Sequence, residues 1–116
     1  MISTVWRVKA GNFDSKEFIA KYELDPDTVS EDGFNLCLFE APSKDHFIQN
    51  LSDALKDYHD SFVELLERRI SSQIDIGVTV GTEDQYTCSI LLPVEIIKQL
   101  SELDVEISFS AYPASD

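Results

Sequence analysis

The feature that most constrains the fold is a long stretch of helical periodicity from Ser43 to Ile70. Its apolar residues recur at steps of three and four, the spacing that places side chains on one face of an α-helix. They are Phe47, Ile48, Leu51, Leu55, Tyr58, Phe62, Leu65, Leu66 and Ile70. An unbroken helix here would be roughly 40 Å long, which is unusual in a globular protein, and the pattern allows a kink near Ser52 or Ser61. The rest of the chain must supply a surface that covers this apolar stripe.

The opposite face of the same predicted helix is acidic. Its carboxylates follow one another at steps of four, three, four and three, so they line up along the helix. We call this set the acidic ribbon: Asp53, Asp57, Asp60, Glu64 and Glu67. Lys56 and Arg68 flank the ribbon without filling it. The ribbon is a candidate contact surface for a basic protein, and the alternative is an ordinary solvated helix face.

A second group of carboxylates lies in a polar segment, residues 25–33, that contains no basic residue. We call this group the acidic loop: Asp25, Asp27, Glu31 and Asp32. The segment lacks the ladder of acidic residues, central glycine and closing glutamate that a calcium-binding loop requires, so we predict no metal site. The acidic loop is the second candidate surface for a basic partner.

Alternation of apolar and polar residues predicts strands in the rest of the chain. Strands are predicted at residues 2–10, 34–39, 74–80, 86–92 and 105–111, short helices at 15–22 and 93–102, and a hairpin connection at 81–84. Because nearly every strand has one polar face, a single sheet with helices on one side satisfies all the patterns. The predicted fold is an α+β two-layer sandwich, β-α-β-α-β-β-α-β, with one mixed or antiparallel sheet of about five strands, one long helix and two short ones. One domain spans residues 1–113, and residues 114–116 form a frayed tail.

Charge restricts the partners that this chain can have. Acidic residues number 22 against 9 basic ones, and the net charge is −13. Such a field repels nucleic acid and anionic membranes and accelerates encounters with basic proteins. We therefore expect a basic protein partner, no nucleic acid and no membrane, with acidity that serves solubility alone as the alternative. The chain has no apolar run of about 20 residues and no signal-peptide pattern, which predicts a cytoplasmic protein.

The sequence contains no pattern that predicts catalysis. His46 and His59 lie thirteen residues apart on the predicted long helix, a separation of roughly 20 Å, so they do not share a site. Cys37 and Cys88 lie in apolar strand-like runs, where a small buried thiol is the usual interpretation. We predict a non-catalytic protein without a cofactor or a metal ion. A hydrolase or metal-dependent enzyme is the least favoured alternative.

Three apolar residues in the strands are of special interest. Trp6, the only tryptophan, lies on the apolar face of the first predicted strand and is expected in the core. Val5 and Phe39 each share a strand face with polar neighbours. We expect them to contribute to an exposed patch that suits a protein partner.

A series of short motifs extends over most of the chain. They are the strand Trp6-Arg7-Val8, the helix start Phe13-Asp14, the turn Leu24-Asp25-Pro26, the strand Ile74-Asp75-Ile76-Gly77-Val78, and the segments Leu91-Leu92-Pro93-Val94-Glu95-Ile96-Ile97 and Leu103-Asp104-Val105-Glu106-Ile107 before Tyr112. In this order they resemble a family of small, uncharacterised bacterial domains. The chain departs from that family in region 27–39, which is short and lacks a second tryptophan.

Some members of this family resemble immunity proteins of bacterial toxin systems. The resemblance implies an inhibitor that binds a cognate toxin and carries no catalytic residues. A toxin nuclease needs a basic surface to hold nucleic acid, so a carboxylate-rich inhibitor can occupy the same surface. The alternative is a structural or regulatory domain that acts as a homodimer through a sheet edge or an exposed face.

Overall fold

The computed structural model describes residues 1–80 and 89–113, which form an α+β fold with four helices and one mixed five-stranded sheet. The fold class agrees with the prediction. In chain order the elements are β1 (Ile2–Lys9), α1 (Ser15–Tyr22), β2 (Thr28–Ser30), β3 (Gly33–Ala41), α2 (Lys44–Asp57), α3 (His59–Glu67), β4 (Ser72–Val80), α4 (Val94–Glu102) and β5 (Val105–Pro113). None of the described helices is long and apolar enough to cross a membrane.

The strands are arranged in the order β2-β3-β1-β4-β5. The central strand β1 is antiparallel to both β3 and β4. β5 runs parallel to β4, and the chain reaches it through α4. A parallel pair requires a crossover connection of this kind. Among the described residues, β2 and β5 are therefore the two edges of the sheet.

The core lies between one face of the sheet and the helices. Trp6 of β1 is completely buried at its centre, as predicted. Its ring lies 4.3 Å from that of Phe62 on α3 and 5.2 Å from that of Phe34 on β3, measured between centroids. Around it are large buried side chains from the helices and strands: Phe18, Phe47, Leu51, Leu55, Leu65, Ile74 and Ile76.

The predicted long helix is two helices that meet at Tyr58. This residue has φ −103° and ψ 14°, and it separates α2 from α3. The Tyr58 ring packs against Trp6 at 5.8 Å, so the interruption faces the core. No glycine or proline marks the interruption, and the apolar spacing continues through it. The sequence therefore predicted one helix, and it placed the possible kink near Ser52 or Ser61.

The strand predictions differ from the structure in two places. Residues 28–30, predicted as part of a loop, form β2, which pairs with the start of β3 through a turn at Glu31 and Asp32. All three residues of β2 are exposed, so the segment has no alternation of apolar and polar residues that would predict a strand. The predicted hairpin at 81–84, the first three residues (86–88) of the predicted strand at 86–92, and the tail at 114–116 lie outside the described residues. Residues 89–93 are described and belong to neither helix nor strand.

Candidate interaction surfaces

Four members of the acidic ribbon are exposed on α2 and α3: Asp53, Asp57, Asp60 and Glu67. All nine lysine and arginine residues of the chain lie in the described part of the structure. Within that part, none of their side-chain nitrogens lies within 4.0 Å of these four carboxylates. Asp53 accepts a hydrogen bond of 2.9 Å from Gln49. These four carboxylates, on both sides of the junction of the two helices, therefore form no ion pair with a described lysine or arginine.

Glu64, the fifth member of the ribbon, lies in a different environment. Its side chain is only 13% exposed, and it accepts hydrogen bonds from Lys21 and, at 2.8 Å, from the Tyr22 hydroxyl. Arg68 Nη2 lies 3.1 Å from Glu64 Oε2, an ion-pair distance without hydrogen-bond alignment. The bond from Lys21 lowers the pKa of Glu64, and burial is the main cause that raises the pKa of Tyr22. Glu64 thus connects α1 to α3, apart from the four exposed carboxylates.

We expect Glu64→Gln to lower the free energy of unfolding by about 1 kcal/mol at neutral pH, because a charged acceptor is lost. A carboxyl group with a lowered pKa in the folded state stabilises the protein above its unfolded-state pKa, about 4.3. That contribution disappears as the pH falls through the folded-state pKa. The stability difference between wild type and variant, measured by urea unfolding, should therefore shrink between about pH 7 and about pH 3.

The matched control is Glu67→Gln, an exposed carboxylate on the same stretch with no basic group within 4.0 Å among the described residues. Its effect on stability should stay within about 0.5 kcal/mol at every pH. A stability loss in Glu64→Gln that does not change with pH would show that the ionised carboxylate does not contribute.

In the acidic loop, Asp27 holds the β2-β3 hairpin together. Its Oδ2 accepts a hydrogen bond of 2.7 Å from the backbone N–H of Cys37, and its own N–H donates to the carbonyl of Asn35 at 2.8 Å. The two bonds hold the backbone and the side chain of Asp27 against β3. Asp27 therefore has a structural role even though it is exposed.

The other members of the acidic loop lie at or near the hairpin turn. Asp25 and Glu31 are exposed, whereas Asp32 is half-buried and accepts a hydrogen bond of 3.1 Å from Ser30. The turn contacts the first residue of α1, since Ser15 N–H donates to the Glu31 carbonyl. The last turn of α1 contacts α3 through Glu64. α1, whose eight residues span about 12 Å, thus lies between the hairpin turn and Glu64.

The sheet face opposite the helices carries a polar network that the sequence analysis missed. Asp75 of β4 is only 8% exposed. Its Oδ1 accepts hydrogen bonds from the hydroxyls of Ser108 and Ser110 on β5, at 3.0 and 2.9 Å. Its Oδ2 lies 3.2 Å from Arg7 Nη2 on β1. Alternation placed these residues on polar faces, but their convergence depends on the strand order, which alternation does not determine.

We expect Asp75→Ala to lower the free energy of unfolding by about 1–3 kcal/mol, because two hydroxyl groups and a guanidinium lose their acceptor. Asp75→Asn keeps an oxygen for the two serines but loses the charge and the acceptor that faces Arg7, so its effect should be smaller than that of alanine. Urea unfolding of the two variants beside wild type measures both values. Wild-type stability in the alanine variant would show that the network does not stabilise the sheet.

Val5 and Phe39, expected to share an exposed patch, lie on opposite faces of the sheet. Thr4 pairs with Phe39 and Val5 pairs with Cys37, so β3 contains one extra residue at a bulge. The bulge moves Phe39 to the helical face, where its ring lies 5.8 Å from that of Phe47. Strict alternation had placed Phe39 with Cys37. The predicted patch is therefore wrong.

The side chains considered for catalysis are dispersed. His46 and His59 are exposed, one near the start of α2 and the other at the start of α3. Cys37, predicted to be a buried thiol, is half-buried, and burial raises its pKa. Cys88 lies outside the described residues. In the described part of the chain, no three histidine, cysteine or acidic side chains are grouped in a way that could hold a metal ion.

Comparisons of the chain with protein-family models, with curated proteins and with solved structures found no match. The leading candidate surface is the exposed part of the acidic ribbon, because four carboxylates follow one another there at helical spacing and none has a described lysine or arginine within 4.0 Å.

Proposed function

We propose that this protein is a non-catalytic, acidic protein-binding domain that neutralises a basic partner, as an immunity protein neutralises its cognate toxin. The observation that carries the proposal is the row of four exposed carboxylates on α2 and α3 without a described basic group within 4.0 Å. Such a row attracts a basic surface and orients it during encounter. A toxin nuclease uses a basic surface to hold nucleic acid, so an acidic inhibitor competes for that surface.

The packing of α2 and α3 supports this role because it holds the carboxylates on a rigid scaffold. Phe47, Leu55 and Phe62 anchor the two helices and are at most 1% exposed. Glu64 adds the contact to Lys21 on α1. A surface that is ordered before binding loses less conformational entropy when the partner binds. The proposal therefore requires no rearrangement of the helices.

The acidic loop is a second contact region in this proposal. Asp25 and Glu31 are exposed there, whereas Asp27 and Asp32 also make hydrogen bonds within the hairpin. We propose that the protein acts in the cytoplasm, that its partner is a basic protein, and that it binds neither nucleic acid nor membranes. The net charge of −13 favours a basic partner and disfavours nucleic acid and anionic membranes.

A pull-down with the tagged full chain tests the proposal. The source lysate is applied at low ionic strength, about 50 mM, and bound proteins are released by raising the salt concentration. We expect a basic protein, bound at one copy per chain and eluted by salt, to be identified by mass spectrometry. The proposal would be contradicted if no basic protein were recovered in stoichiometric amount. It would also be contradicted if the bound protein were not released by salt.

A further inference from the structure

The outer edge of β5 pairs with no strand among the described residues. This strand has nine residues and pairs with β4 along its whole length without a register shift. Native monomers usually protect such an edge by keeping the strand short, by a bulge, or by lysine and proline residues. β2, at the other edge, has only three residues. β5 has none of these protections except Pro113 at its last position.

β5 is also almost without charge in a chain whose net charge is −13. Glu106 is its only charged residue, and residues 107–113 contain none. A basic partner gains little electrostatic energy from pairing with residues 107–113. A second copy of this chain offers a strand of the same length with the same single charge. The charge distribution therefore favours self-association at this edge and a basic partner elsewhere.

Large apolar side chains lie exposed beside the same edge. Phe109 on β5 is 55% exposed, and Ile97 on α4 is 51% exposed. The two residues line a groove between α4 and β5 together with Leu92, Leu100 and Ile107. Val94 on the first turn of α4 and Leu91 before it are also exposed. Burying these side chains would add hydrophobic stabilisation to strand pairing.

We propose that β5 pairs in antiparallel orientation with β5 of a second copy of this chain, about a two-fold axis at Phe109. The two five-stranded sheets then form one continuous sheet. In this register Phe109 lies opposite Phe109 of the second copy, and Ser108 lies opposite Ser110. Glu106 lies opposite Tyr112, so no like charges face each other across the pair. The interface is isologous, as in most dimers.

The surface area available at this edge can be compared with the area that a stable dimer buries. A standard interface buries about 800 Å² on each partner. Phe109 and Tyr112, both about half exposed, contribute on the order of 100 Å² each, and the aliphatic side chains of α4 and the strand backbone add to this area. The net charge of each copy opposes association, and salt screens that repulsion. The dimer should therefore become tighter as salt is added.

Sedimentation equilibrium of the full chain tests the proposal, over a concentration range of about 1–500 µM at about 50 and 500 mM salt. We expect the mass to rise from 13.1 kDa toward twice that value, with a lower dissociation constant at high salt. Phe109→Glu places two carboxylates opposite each other and should weaken the dimer by about tenfold or more. Circular dichroism of Phe109→Glu checks that the variant is folded.

The matched control is Val29→Glu, which introduces the same charge at a residue that is 48% exposed on the opposite edge strand. It should leave the dissociation constant within about twofold of wild type. If Phe109→Glu does not fold, Ile97→Glu on α4 replaces it with the same expectation. A monomer at every concentration, or a dimer that Val29→Glu weakens as much as the test variant does, would overturn the proposal.

This inference does not depend on the inhibitor role proposed above. Salt should strengthen the dimer, whereas salt should weaken a complex between the acidic ribbon and a basic protein. The two interactions also use different elements, β5 with α4 in one case and α2 with α3 in the other. Failure of one proposal therefore leaves the other testable.

Discussion

The double substitution Asp57→Lys and Asp60→Lys is expected to slow association with the captured basic partner by about 10- to 100-fold at low ionic strength. It reverses charge at the centre of the exposed ribbon, on both sides of the helix junction at Tyr58. Both side chains are exposed, so the fold should tolerate the change. Stopped-flow or surface plasmon resonance measures the rate constant. The effect should decline as salt shortens the range of the field.

The matched control makes the same change of net charge on α4, with Glu95→Lys and Glu102→Lys. Both glutamates are exposed. If the ribbon is the contact surface, this control should change the association rate constant by only about twofold to threefold, through the net charge alone. Equal effects of the two double variants would mean that overall charge, and not the ribbon, governs encounter. An unchanged rate in the ribbon variant would remove the ribbon from the proposed interface.

Replacing Trp6 with alanine is expected to lower the free energy of unfolding by about 3–5 kcal/mol, a large part of the 5–15 kcal/mol typical of a domain. Trp6 is completely buried on the central strand. Its ring contacts Phe34 and Phe62 and packs near Phe18 and Tyr58, so alanine leaves a cavity that several elements border. Urea unfolding followed by circular dichroism measures the loss without relying on tryptophan fluorescence.

Trp6→Phe is the informative comparison. The indole N–H of Trp6 is buried and has no hydrogen-bond partner among the described residues. Phenylalanine removes that unsatisfied donor while it keeps most of the aromatic volume. The expected loss is about 1–2 kcal/mol, well below that of alanine. Equal losses in the two variants would mean that the N–H makes a favourable interaction that the structure does not contain.

Side-chain periodicity was sufficient to predict the main layers of the fold. The spacing around Phe47, Leu55 and Phe62 predicted the apolar helix face that covers the sheet, and all three residues are buried. Alternation around Trp6 and Ile74 predicted the strand faces that meet these helices, and both residues are buried. These predictions hold because each depends only on local geometry, 3.6 residues per helical turn or two per strand repeat.

The features that were missed depend on contacts between distant parts of the chain. Glu64 fits the spacing of the ribbon, but Lys21 and Tyr22 of α1 form hydrogen bonds with it. Asp75 meets Ser108 and Arg7 only because β4 lies between β1 and β5. Periodicity assigns a side chain to a face and does not say which element packs beside it. Lys21 and Glu64 carry opposite charges, but nothing local in the sequence pairs them.

The central position of β1 also determines the order in which the sheet can form. Ile2 pairs with Ala41 on one side and with Val78 on the other, so the middle of the sheet joins residues that are far apart in the chain. During synthesis, β1 and β3 can pair well before β4 has emerged from the ribosome. Until then, the β4 side of β1 is an unpaired edge that other strands can bind. We therefore expect chains that end before β4 to aggregate more readily than the full chain.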